Sequence, residues 1–270
     1  MDQALLARSQ MALSLAFHIV FASIGVAMPV LMVMAEACGL RSRDAATRAS
    51  WMALARRWAK GTAVLFAVGA VSGTVLSFEL GLLFPGFMRL AGPIIGLPFS
   101  MEGFAFFIEA IFLGIYLYGW DRLPPRAHLW AGIGVAVSGL ASAVFVTFVN
   151  AWMNAPRGYT LVAGKLTDID PWGALQTPYA LHEILHSVLA YYAATGLAVA
   201  GVHAFALWRY PGSVFHRRAL TLALCLAVPP SLLQPVVGHY AGQQVAIHQP
   251  AKLAAMEQLE TTQARAPMKV

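Results

Sequence analysis

SQMALSLAFHIVF, residues 9–21, leads into an apolar run from Met11 to Glu36 that decides the fold. A helix needs roughly 20 such residues to cross a bilayer. Five more runs follow, at 60–83, 99–120, 127–150, 179–208 and 218–238. Only 11% of the 270 residues are charged and 59% are hydrophobic; a soluble domain is about 25% charged. The sequence predicts an all-α integral membrane protein, a six-transmembrane-helix bundle. The net charge of +6 does not point to nucleic acid, because the basic residues form no long patch. Arg41, Arg43, Arg48, Arg56, Arg57 and Lys60 follow the first run, Arg122 and Arg126 the third, and Arg209, Arg217 and Arg218 the fifth. The second and fourth connections carry only Arg89, then Arg157 and Lys165. Positive charge marks the cytoplasmic side, which puts the N- and C-termini on the outer (periplasmic) side. The first run is too long for a signal-peptide core and is read as retained. Cys38 and Cys225 are isolated and build no disulfide framework. Residues 1–238 are read as a six-helix membrane domain, and 239–270 as the polar, helix-prone start of an outer loop.

Ionisable groups inside apolar spans are expensive and mark functional sites. Spans one, three and five enter from outside, so His18 and His186 lie roughly 10–12 Å below the outer boundary at 1.5 Å per residue. Glu102 is expected within about one turn of that boundary, with Glu109 on the same helix face roughly 10 Å deeper. Ser142 approaches mid-membrane from the other side on span four. Each group has two readings. His18 is either a packing imidazole between helices or an axial haem ligand, with Phe17 and Phe21 beside the ring. Glu102 and Glu109 are either a structural pair or members of a proton relay. Glu79 is either interfacial or functional. Arg8 is either a snorkelling surface charge or the partner of a haem propionate.

His182-Glu183-Ile184-Leu185-His186 matches the H-E-x-x-H zinc motif, which makes an intramembrane metalloprotease a competing reading. No convincing third ligand follows: His203 and His216 lie far along span five or beyond its cytoplasmic end, and His239 and His248 belong to the outer end of the chain. His182 and Glu183 are then expected to be bystanders near the outer surface. Trp120-Asp121-Arg122 reads as an interfacial anchor followed by a solvated ion pair.

Several stretches together resemble subunit I of the cytochrome bd-type quinol oxidases. They are RSQMALSLAFHIVF at 8–21, PFSMEGFAFFIEAIFLGIYLYGWDRL at 98–123, NAWMNAP at 150–156, His186, and HQPAKLAAMEQLETTQARAP at 248–267. The resemblance implies that His18 is the axial ligand of a high-spin haem at the oxygen-reducing site and His186 a ligand of the low-spin haem b. It implies that Glu102 lies beside the high-spin haems, that Glu109 and Ser142 belong to the proton path, and that Lys252 and Glu257 belong to the quinol-binding loop. The implied reaction is electron transfer from quinol through haems to reduce dioxygen to water, in the bacterial cytoplasmic (inner) membrane. The cofactors implied are haem b, with haem d left open. The partners implied are a subunit II-type membrane protein, quinol, dioxygen and the lipid bilayer, with no nucleic acid. Members of the family continue through further helices. The chain is therefore expected to be either a truncated product or a short relative that needs another chain to supply the C-terminal helices. A non-catalytic haem-binding membrane subunit stands as a further alternative.

Overall fold

The computed structural model describes residues 2–259 and 261. It contains six long helices: α1 (Gln3–Arg41), α2 (Ala45–Leu83), α3 (Pro85–Tyr118), α4 (Pro125–Asn154), then α6 (Ala180–Arg209) and α7 (Val214–His248). All six are long and apolar enough to cross a membrane. Between α4 and α6 lie a hairpin of β1 (Thr160–Val162) and β2 (Lys165–Thr167) and the short α5 (Pro171–Leu175); α8 (Pro250–Met256) follows α7. Ala163 and Gly164 join the strands with φ of 49° and 76°. Two left-handed residues in a two-residue loop match the strand twist.

Local chemistry sets where the helices start. Asp2, Asp44 and Ser213 each accept a hydrogen bond from a first-turn N–H of α1, α2 and α7 respectively. Pro85, Pro125 and Pro250 occupy the first turns of α3, α4 and α8, where a missing N–H costs nothing. Proline also interrupts α1 at Pro29, α3 at Pro93 and Pro98, and α7 at Pro229, Pro230 and Pro235. Membrane helices tolerate this because neighbouring groups re-satisfy the freed carbonyls.

Consecutive helices pack as antiparallel pairs, α1 with α2, α3 with α4 and α6 with α7; α1 also touches α4, α6 and α7. The dense core lies at one end of the bundle. It joins Met28, Leu31, Met32 and Ala35 of α1 to Leu54, Ala55 and Trp58 of α2, Leu113 and Tyr116 of α3, Val135 of α4, and Ala219 and Leu222 of α7. Small residues let the backbones approach there: Ala35, Ala55, Ala59, Ala219 and Ala223 are fully buried. Toward the other end the bundle opens, and no described residue of α1 before Val26 is buried.

Two expectations about extent are corrected, at spans two and six. The helix of span two begins at Ala45, so Arg48, Arg56, Arg57 and Lys60 are helical and not part of a loop; Asp44 caps it and nothing breaks it before Leu83. α3 likewise opens at Pro85, 14 residues before its apolar span, which puts Glu102 17 residues into the helix. Span six continues ten residues past Gly238 to His248. The polar stretch there lacks a breaker until Pro250. In each case the helix is longer than the apolar span that marks it.

Candidate functional site

α1 and α2 meet closely at His18. Gly69 and Gly73 lie one turn apart on α2. A Cβ on Gly69 would sit 3.5 Å from Phe21 Cβ, and one on Gly73 would sit 3.1 Å from His18 Cε1. The imidazole therefore lies against Gly73. Its Nδ1 is 2.9 Å from Ser72 Oγ, and the Gly69 backbone carbonyl is a further partner of the ring. An apolar cleft of about 680 Å³ runs along the same helix pair, lined by Leu13, Phe17, Val68, Val71, Ser72 and Val75 among others. Phe17 and Phe21 pack together at 4.9 Å between ring centres. Toward the start of α1 the polar stripe continues. Gln10 Nε2 and Ser14 Oγ both donate to Glu79 Oε1, at 3.0 and 2.8 Å. Glu79 is buried between α1 and α2. Arg8 is exposed, ten residues before His18, about 15 Å along the helix.

Glu102, Glu109 and Tyr116 recur every seven residues along α3 and so share one face. Glu109 is buried and packs onto Gly139 of α4, where an added Cβ would meet its Oε1 at 2.7 Å. Ser142 lies one turn further along α4 and is half-buried, as is Glu102. Glu109 and Ser142 thus belong to one seam, and Glu102 extends it two turns along α3. Where that face reaches the dense core the structure adds a pair that sequence reasoning missed. Glu36 Oε1 lies 2.8 Å from His128 Nδ1, and His128 Nε2 lies 2.9 Å from the Tyr116 carbonyl oxygen. Both side chains are at most 3% exposed.

His186 faces α7. Gln234 Nε2 donates to the His186 carbonyl at 3.1 Å and lies 3.2 Å from His186 Nε2. Gly238 leaves room beside the ring, an added Cβ standing 3.5 Å from Cε1. Eight buried side-chain polar atoms lack a partner among the described residues. Five of them cluster here: Tyr179 OH, His182 Nδ1, Glu183 Oε2, His186 Nδ1 and Gln234 Oε1. Such a concentration marks a place for a polar ligand or cofactor. His182, expected as a bystander near the outer surface, is packed within the protein. His182 is buried, with its ring edge-on to Tyr179 and Tyr240. The reason is α7, whose extension beyond Gly238 covers the first turns of α6. Among the described residues, no group of three His, Cys, Asp or Glu side chains is arranged to hold a metal ion.

Haem fits this donor set. Iron at His18 Nε2 would leave the Ser72 contact at Nδ1 intact. At His186 Nε2 it would displace only the 3.2 Å Gln234 contact, leaving the Gln234 bond to the carbonyl. Neutral imidazole in an apolar helix bundle is a common haem ligand.

α8 is tied back to the end of α4. Lys252 Nζ donates to Asn154 Oδ1 at 3.0 Å, and Gln249 Nε2 donates to the Asn154 carbonyl at 2.6 Å. Lys252 and Glu257 are both exposed on this segment. Of the 248–267 stretch, residue 260 and residues 262–267 lie outside the described residues. Asn154, Gln234, Ser72 and the Glu36–His128 pair were not singled out from sequence. Ser72 and Gln234 are ordinary polar residues until their histidine neighbours are known. Asn154 did stand inside the NAWMNAP stretch.

A family model described as cytochrome bd terminal oxidase subunit I matches residues 6–270. A curated relative in Bacillus subtilis, a putative cytochrome bd menaquinol oxidase subunit I, is 38% identical over all of this chain and 61% of its own length. A cytochrome bd-II ubiquinol oxidase subunit 1 of Escherichia coli is 27% identical over 98% of this chain and 52% of its own length. A solved structure of bd oxidase from Geobacillus thermodenitrificans superposes with a TM-score of 0.89 at 42% identity, covering 95% of this chain and 59% of that one. The chain thus spans about half to three-fifths of the length of these relatives.

Proposed function

This chain belongs to the cytochrome bd terminal oxidase subunit I family, and on that premise we propose that it forms the haem-binding, quinol-facing half of a quinol:oxygen oxidoreductase. The observation that carries the reading is the placing of two histidines. His18 and His186 stand at helix seams away from the dense core, each with an imidazole nitrogen that the protein leaves available or nearly so. Six apolar helices of this family make a multi-pass protein of the bacterial cytoplasmic membrane. The basic connections support an orientation with the ends of α1, α3 and α6 in the cytoplasm and both termini outside.

Haem held by His18 and His186 supplies one-electron steps between quinol and dioxygen, which is reduced to water. The protein's own groups do the rest. Lys252, held beside the end of α4, donates to a quinol oxygen. Glu257, at the end of α8, takes up a proton as quinol gives up two electrons and two protons on the outer side. Glu109 holds a proton in the seam with α4 and passes it along the shared face of α3 toward Glu102. Ser142 lies on that seam and carries a hydroxyl able both to donate and to accept. Arg8 supplies positive charge at the outer end of α1, where a haem propionate would reach it. Residues 1–238 act as the membrane domain, and the extension of α7 to His248 with the segment after it begins the quinol-binding part. A subunit II-type partner and the remaining helices of the family complete the enzyme. The haem at His186 is assigned as haem b, and that at His18 as a high-spin haem b or haem d.

The family match favours this reading over a zinc hydrolase built on His182 and His186. The test is quinol-driven oxygen uptake in membranes of a host stripped of its own quinol oxidases. The chain is expressed there with its subunit II-type partner and the C-terminal helices. Uptake that needs quinol and falls in Lys252→Ala is expected. A haem-free complex, or oxygen uptake indifferent to quinol, would overturn the proposal.

A further inference from the structure

The proton on His18 has to sit on one nitrogen for the other to bind iron, and the neighbouring helix decides which. Ser72 Oγ is 2.9 Å from the Val68 carbonyl and 3.0 Å from the Gly69 carbonyl, both on its own helix. A hydroxyl has one hydrogen and two lone pairs. Its hydrogen is shared between those two carbonyls, so a lone pair faces His18 Nδ1 at 2.9 Å. Nδ1 must then carry the ring proton and donate it, leaving the Nε2 lone pair free. The converse arrangement, with Ser72 donating to Nδ1, gives up both carbonyl contacts and moves the ring proton onto Nε2, where it blocks coordination. The seat is steric as well as polar: the ring rests on Gly73, with its Cε1, Nε2 and Nδ1 at 3.1, 3.7 and 3.8 Å from where a Cβ would be. A side chain there would push the ring off Ser72.

We infer that Ser72 is a positioning residue for the haem iron. Its hydroxyl fixes the His18 tautomer, aligns the imidazole over Gly73 and sets how strongly Nε2 donates to the metal. This rests on His18 being an axial haem ligand and goes beyond it, since nothing in that role specifies what holds the ligand. Outer partners of metal-bound histidines fix the tautomer and raise ligand basicity, and their loss typically costs about 10–100-fold in affinity or activity. Ser72 accomplishes this with a neutral oxygen acceptor, which makes Nε2 a weaker donor than a carboxylate partner would.

The test compares Ser72→Thr with Ser72→Val in the assembled complex, because the two differ by a hydroxyl against a methyl at equal volume. His18→Ala serves as the control. The readouts are haem stoichiometry, the iron–histidine stretching frequency of the ferrous high-spin haem, and its midpoint potential. Ser72→Val is expected to lower the stretching frequency, raise the potential and weaken haem retention by about tenfold. Ser72→Thr is expected to stay at parent values. Equal frequencies and potentials in the two variants, with His18→Ala still losing the high-spin haem, would overturn the role of Ser72 and leave the ligand assignment standing. A high-spin haem that survives unchanged in His18→Ala would remove both.

Discussion

His128→Ala should be the most damaging single substitution in the half of the bundle opposite the histidine sites. Glu36 and His128 are 2% and 3% exposed, 2.8 Å apart, and come from helices whose contact spans 92 positions of sequence. Glu36 Oε2 makes no close hydrogen bond among the described residues, so His128, with the Tyr116 hydroxyl beside the carboxyl, carries most of its compensation. The ring is also packed between Tyr116 and Trp120, with centroids at 4.3 and 4.1 Å. Its Nε2 takes up the Tyr116 carbonyl near the end of α3. Removing one partner of a buried pair typically costs about 3–5 kcal/mol, because the other is left uncompensated. At 1.4 kcal/mol per factor of ten, that is roughly two to three and a half orders of magnitude in the folding equilibrium. Replacing both by apolar residues, Glu36→Leu with His128→Leu, should cost much less than His128→Ala, since no unpaired carboxyl remains. Reversible denaturant unfolding of the complex in detergent, run as a double-mutant cycle, measures both. His128→Ala within about 0.5 kcal/mol of the parent, the size of an ordinary surface change, would show that Glu36 finds another partner and that the pair does not hold the helix ends together.

Glu109→Gln should slow quinol-driven oxygen reduction by about a hundredfold or more while leaving haem content intact, because a relay needs a titratable group and packing does not; turnover at the parent rate would remove Glu109 from the path. Gly139→Ala places a Cβ 2.7 Å from Glu109 Oε1 and should displace that carboxyl, lowering kcat with KM for quinol unchanged. Asn154→Ala frees Lys252 from its 3.0 Å bond and should raise KM for quinol several-fold with a smaller effect on kcat; steady-state oxygen uptake against quinol concentration reads both, and a pure kcat effect would count against an anchoring role. Gly132→Ala drives a Cβ to 2.7 Å from the Tyr116 ring and 3.0 Å from Val33 and should cost about 1–3 kcal/mol through overpacking, measured in the same unfolding assay.

The six spans were legible because hydrophobic length is a property of contiguous sequence. SQMALSLAFHIVF could be read as membrane helix from 13 residues and their sequel. Helix ends were not legible to the same degree. Arg56 and Lys60 look like loop charges, yet α2 carries them on an uninterrupted helix that outruns the bilayer. His18, His186 and Glu109 stood out because a lone ionisable group among apolar neighbours is conspicuous. Glu36 and His128 did not, since each lies near the end of a span where a charge is unremarkable; only the fold brings them together. The burial of His182 escapes the sequence for a related reason. It lies near the start of a span, and nothing in one sequence says that α7 continues far enough to cover it. Ser72 and Gln234 acquire meaning only from the imidazole opposite, which the pairing of α1 with α2 and of α6 with α7 supplies.

The reduced-minus-oxidised spectrum of the assembled complex, recorded for the parent, His18→Ala and His186→Ala, tests the central claim most directly. The account predicts that His18→Ala loses or converts a high-spin haem and keeps the low-spin signal, while His186→Ala loses the low-spin signal and keeps the high-spin one. Spectra identical to the parent in either variant, with the complex fully assembled, would contradict the assignment of that histidine to haem.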